Sequence, residues 1–161
     1  MRNRPLVLIF SLFCSLFSID FALKYWAYYL MPEPIVVFST PFGIDFLIQC
    51  VTNRGGAWGM LSSFHFSLLL FRIVVVGSLI CYLFLFRHST RLNVCLTLII
   101  TGAFGNVFDS LCYGHVIDML HFIFWGHSYG IFNLADAMIS IGAIGLIFSL
   151  GKPQEKVEDA K

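Results

Sequence analysis

Between Gly102 and Asp136 the chain places Asp109, Asp118 and Asp136, three of its nine acids, among strongly apolar neighbours, with Asn106 and Asn133 beside them. No lysine or arginine occurs from Leu92 to Gly151 to neutralise them. Two carboxylates held close together cannot both ionise cheaply, so they share a proton. One then serves as base toward a water and the other as acid toward a carbonyl or leaving amine, which is the chemistry of peptide hydrolysis. Such a pair titrates as a unit. Asparagine amides both donate and accept, so Asn53 and Asn133 could hold substrate carbonyls. Spacing alone leaves a second chemistry open, a small proton-coupled transporter with Asp109 and Asp136 as relay sites. A structural assembly factor, indifferent to asparagine at both positions, is a third.

Other site types fit less well. His115, Asp118 and His121 recur every third residue. Helical positions six apart differ by ~120° around the axis, and successive members of the trio alternate faces in a strand, so neither geometry gathers them on one metal. Ser110, Cys112 and Ser128 lie near histidines, but no G-x-S-x-G elbow is present. The five cysteines (Cys14, Cys50, Cys81, Cys95, Cys112) lack C-x-x-C spacing and read as small core residues.

The elements that must position the acids are membrane helices. Hydrophobic residues make up 58% of the 161 residues and charged residues 12%, which excludes an ordinary soluble domain. A formal charge of +1 with no basic stripe gives no basis for a nucleic-acid partner. Four apolar segments, about 5–30, 64–86, 92–111 and 131–150, are each long enough to cross the ~30 Å hydrocarbon layer. The first reads as a retained anchor, since its apolar run continues past Asp20 to Leu30 without a small-x-small cleavage site. We therefore expect an α-helical membrane protein, a single polytopic domain over residues 1–161. Its expected outer loops are 31–63 and 112–130, with a cytoplasmic tail at 151–161. Arg2, Arg4, Arg87, Arg91, Lys152, Lys156 and Lys161 all fall on one side of that layout, so both termini are expected in the cytoplasm. The β-prone runs Ile35–Phe38 and Ile44–Val51 predict a small extracytoplasmic sheet in the first outer loop.

Counting along each helix sets the polar residues at one depth. Asp20 and Lys24 lie in the outer half of the first span, Asn106 and Asp109 near the outer end of the third, and Asn133 and Asp136 in the first turns of the fourth. Asn53 and Asp118 stand at the same boundary. Asn106 with Asp109, and Asn133 with Asp136, are i, i+3 pairs that share a helix face. Gly102 and Gly105 extend that face and permit close helix approach. Asp20 and Lys24 are spaced for an ion pair within one helix, read first as a packing brace.

These residues carry a resemblance. The set N-x-G-x-A-[FW]-G at Asn53–Gly59, G-N-x-x-D at Gly105–Asp109, V-[VI]-D at Val116–Asp118 and F-N-x-A-D at Phe132–Asp136 resembles the lipoprotein signal peptidases, or signal peptidase II. Asp20 with Lys24 matches the D-x-x-x-K of that family's first span, and the likeness covers essentially the whole chain. The resemblance implies a bacterial inner-membrane aspartic endopeptidase, multi-pass, with its active site near the outer leaflet. It implies cleavage of diacylglyceryl-modified prolipoproteins just before the lipidated cysteine. Asp118 and Asp136 would be the catalytic pair, with Asn53, Gly55, Asn106, Asp109, Asn133, Asp20 and Lys24 binding substrate or supporting the pair. No metal or organic cofactor is implied, and the enzyme is expected to act as a monomer with lipid around it. The peptide is expected to enter between the third and fourth spans. Two departures stand out. Ser110 occupies the place of a usual arginine, leaving Arg54 or Lys24 as the nearest replacement cation, and Trp58 stands where phenylalanine is more usual.

Overall fold

The structure, a computed structural model, describes residues 4–54, 62–86 and 89–150. Gly55, Trp58 and the expected tail 151–161 lie outside the described residues. Four α-helices are present among them: α1 (Arg4–Tyr25), α2 (His65–Leu85), α3 (Thr90–Tyr113) and α4 (Leu134–Leu150). The first continues into one wider π-helical turn, Trp26–Leu30. Three stretches, Leu6–Leu30, His65–Leu85 and Thr90–Tyr113, are long and apolar enough to cross a membrane. Helix α4 is equally apolar but shorter: its 17 residues extend ~25 Å at 1.5 Å per residue. Phe66, Leu70, Phe71 and Val74 on α2, and Ile141, Ile147 and Phe148 on α4, are exposed. Apolar side chains facing outward are what a lipid surround stabilises.

Helix α3 is the centre of the bundle. Its face carries Leu92, Leu96 and Ile100, which pack with Leu83 of α2 and, at their edge, with Ile9, Phe13 and Leu146. Phe13, Phe17 and Phe21 of α1 interleave with Phe104 and Phe108 of α3 at ring-centroid distances of 5.3–5.8 Å, all edge-on. That geometry suits the aromatic quadrupole, and it fixes the register of Asp20 and Lys24 against Asn106 and Asp109. Against α4, glycine sets the spacing. A Cβ on Gly102 would lie 2.3 Å from the Ala135 carbonyl oxygen, and one on Gly142 2.7 Å from Ile99. No side chain fits there, so the two backbones touch.

The sheet is larger than the sequence suggests. Strands β1 (Ile35–Ser39) and β2 (Ile44–Asn53) form the expected hairpin, but β3 (Val116–Phe124) and β4 (His127–Ser128) join it in the antiparallel order β1-β2-β3-β4. The stretch 112–130 is therefore no plain loop. Helix α3 stops at Gly114, whose φ of 73° is left-handed and whose N–H bonds the Ser110 carbonyl. This glycine cap turns the chain straight into β3. Val116 to Met119 are buried on both faces of the strand, so they show no apolar–polar alternation, and the partner strand lies far away in sequence.

Candidate active site

Helix α4 begins with a cap that organises the site. Asn133 is the residue before its first turn, and its Oδ1 accepts the Asp136 N–H at 2.8 Å. Asp136 Oδ2 reaches back to accept the Asn133 N–H at 3.3 Å. This reciprocal arrangement is a capping box in which Asn and Asp take the roles of Ser/Thr and Glu. Asp20 Oδ1, from α1, accepts the next free amide, that of Ala135, at 2.9 Å. Acids gather here because a helix N-terminus presents unpaired N–H groups and partial positive charge.

From this cap the network spreads to α1, α3, β2 and β3. Asn133 Nδ2 donates to Asp118 Oδ1 at 2.8 Å, to Asn106 Oδ1 at 3.1 Å and to the Ile117 carbonyl at 3.2 Å. Asn106 Nδ2 donates to Asp136 Oδ1 at 2.8 Å. Asn53 Nδ2 donates to Asp118 Oδ2 at 3.0 Å. Each carboxylate is thus oriented by amides from two directions. Lys24, 1% exposed, places its ammonium 2.8 Å from both Asp20 Oδ2 and Asp109 Oδ2 and 3.1 Å from Asn106 Oδ1. Its three protons therefore have three acceptors. The brace expected within α1 is a bridge between α1 and α3, and the cation beside Asp109 is Lys24. Ser110 instead bonds the Asn106 carbonyl of its own helix. All the expected site residues except Gly55, which lies outside the described residues, belong to this one network.

Asn53 reaches Asp118 only because β2 is bulged. Before the irregularity Ile44, Phe46 and Ile48 pair with Phe124, Phe122 and Leu120; after it Val51 and Asn53 pair with Asp118 and Val116. The extra residue shifts the side-chain parity of β2 by one. Without it, Asn53 would face away from Asp118. The trio of histidines and aspartate is dispersed by the same strand. Asp118 and His121 lie on opposite faces of β3, and His121 binds Gln49 and Ser128 instead.

Asp118 and Asp136 both line a cavity of about 670 Å³. Asn53, Asn106, Arg72 and Ser140 supply its other polar wall, and Val116, Ile131, Phe132, Ile139 and Ile141 an apolar one. Arg72 was not anticipated, although it is the only lysine or arginine in the apolar run 64–86. Helices α3 and α4 touch at Gly102, and the cavity is lined by Arg72 of α2, Asn106 of α3, Asp118 of β3 and Asp136 and Ser140 of α4.

Burial pushes the Asp118 carboxyl up to about 6, the Asn53 hydrogen bond opposes this, and the nearby Asp136 charge adds to it. A raised carboxyl pKa stabilises the fold below the unfolded value, near 3.8. That stabilisation is lost as pH rises toward 6. The difference is ~3 kcal/mol at most, at 1.36 kcal/mol per unit. Asp118→Asn should accordingly gain thermal stability over the parent at pH 7.5 and gain clearly less at pH 4.5. Equal differences in unfolding temperature at the two pH values would contradict it.

Apolar helices enclosing a buried acid network that opens on a half-apolar cavity define a helical membrane enzyme. Two solved structures described as bacterial membrane enzymes share the fold. One has TM-score 0.76 at 25% identity, covering 95% of this chain and 93% of that one; the other has 0.74 at 27%, covering 89% and 92%. The family model described as Signal peptidase (SPase) II matches residues 12–151. A lipoprotein signal peptidase of Chlamydia pneumoniae is 30% identical over 98% of this chain and 96% of its own length. One from Halothermothrix orenii is 39% identical over 71% of this chain and 75% of its own. The chain belongs to the signal peptidase II family: it is a multi-pass membrane peptidase of prolipoprotein processing.

Proposed function

We propose that the peptidase is of the aspartic type, with Asp118 and Asp136 as its catalytic pair. They cleave a diacylglyceryl-modified prolipoprotein just before the lipidated cysteine. The observation that carries this reading is the amide bridge, in which Asn133 and Asn106 hold the two acids on the wall of one cavity. Two such carboxylates share one proton. The ionised member takes a proton from a water as it attacks the scissile carbonyl, and the protonated member gives its proton to the carbonyl oxygen. Collapse of the diol then passes a proton to the leaving amine, giving a carboxyl group on the signal peptide and a free amine on the lipidated cysteine. The apolar wall suits acyl chains, and the polar wall suits the peptide backbone.

In this reading α4 is the fourth span, the termini are cytoplasmic by the positive-inside rule, and the sheet and cavity lie at the outer leaflet. Support comes from the gathering of Asp20, Lys24, Asn106, Asp109 and Asp136 in one layer. A proton relay through Asp109 and Asp136 needs acids spread through the membrane depth, and these two are linked locally through Lys24 and Asn106. The test is mass analysis of a lipid-modified prolipoprotein co-expressed with this chain. The expected product begins at the diacylglyceryl cysteine. An unchanged mass, or a cut elsewhere, would overturn the assignment.

A further inference from the structure

Asp20, Lys24, Asp109, Asp118 and Asp136 each have bonded partners. Arg72 has none among the described residues. It sits half-buried on α2, between the exposed Phe71 and Ile73, yet it lines the cavity that holds Asp118 and Asp136. It interacts with both carboxylates electrostatically, without a hydrogen bond or ion pair to any described residue. An arginine in an apolar span is costly unless its charge is used, and a planar fork with five donors is shaped for a carboxylate.

Such a carboxylate arises in this cavity. Resting on the peptidase reading, hydrolysis replaces a neutral amide by a terminal carboxylate on the signal peptide, beside a pair that keeps one negative charge. Lys24 cannot neutralise it, being already bonded to Asp20, Asp109 and Asn106. We propose that Arg72 is the residue that binds this new C-terminal carboxylate, and that before the cut it holds the same end of the signal peptide by its backbone carbonyls. It is a substrate-positioning group, not a member of the proton-transferring pair.

The experiment compares two synthetic signal peptides, one ending in a free carboxylate and one in a carboxamide. Each is titrated at pH 7.5 against the purified full-length protein in detergent. The parent should bind the acid about tenfold or more tightly than the amide, the worth of a hydrogen bond between charged groups. Arg72→Gln should abolish that preference. Arg72→Lys should keep part of it, because the charge remains and the fork is lost. A merely structural role would weaken both peptides alike and leave the ratio unchanged. A parent ratio near one, or the parent's ratio persisting in Arg72→Gln, would overturn the proposal. Because the readout is binding, it judges Arg72 separately from whether the prolipoprotein is cleaved.

Discussion

Asparagine at Asp118 or at Asp136 should lower prolipoprotein cleavage about 10³-fold while the protein still folds. The substitution is nearly isosteric. At position 118 the amide oxygen can still accept from Asn133 or Asn53, which now hold the two carboxylate oxygens at 2.8 and 3.0 Å. At position 136 it can still accept from Asn106 or from the cap amide of Asn133. What is lost is the ability to carry and exchange a proton. If the two acids work as one unit, as proposed, the double variant should be hardly slower than either single one. Initial rates on a lipid-modified prolipoprotein in detergent measure all three. A folded single variant retaining more than about a tenth of parental activity would remove its residue from the pair, because proton transfer rarely contributes so little.

The largest effect on stability is expected at Lys24. Replacing it by methionine keeps the stem and removes the ammonium that faces Asp20, Asp109 and Asn106. Asp20 and Asp109, 1% and 2% exposed, would then be left without their counter-charge. Breaking a buried ion pair in this way costs ~3–5 kcal/mol. Thermal unfolding in detergent should fall steeply, and the triple variant Lys24→Met, Asp20→Asn, Asp109→Asn should recover much of the loss. If the lysine variant unfolds at the parent's temperature, or the triple variant is worse still, the bridge between α1 and α3 does not hold the fold. Cleavage should fall with stability here, since Lys24 shares Asn106 with Asp136.

The residues themselves announced much of this arrangement. Asn106 with Asp109, and Asn133 with Asp136, could be put on common helix faces because a three-residue step nearly completes a turn. Asp20 and Lys24 could be paired for a similar reason. Gly102 and Gly105 marked a tight helix contact, and the pairing of β1 with β2 was visible in their two β-prone runs. Strand β3 was hidden because its buried residues do not alternate and its partner, β2, is separated from it by two helices. Arg72 was visible as a charge in an apolar span, but nothing local tells which way one helix face points relative to another helix.

By itself, the sequence determined which side chains had to escape lipid and at what level of each helix they lie, because burying an unpaired charge is expensive and helical rise is fixed. Only the tertiary structure decided how they meet. The bulge after Ile48 turned Asn53 toward Asp118, the α4 cap set Asn133 between Asp118 and Asn106, and the packing of α2 aimed Arg72 at the cavity. Each depends on register or rotation between segments distant along the chain, and those are set by side chains interlocking across the gap, which no local periodicity records.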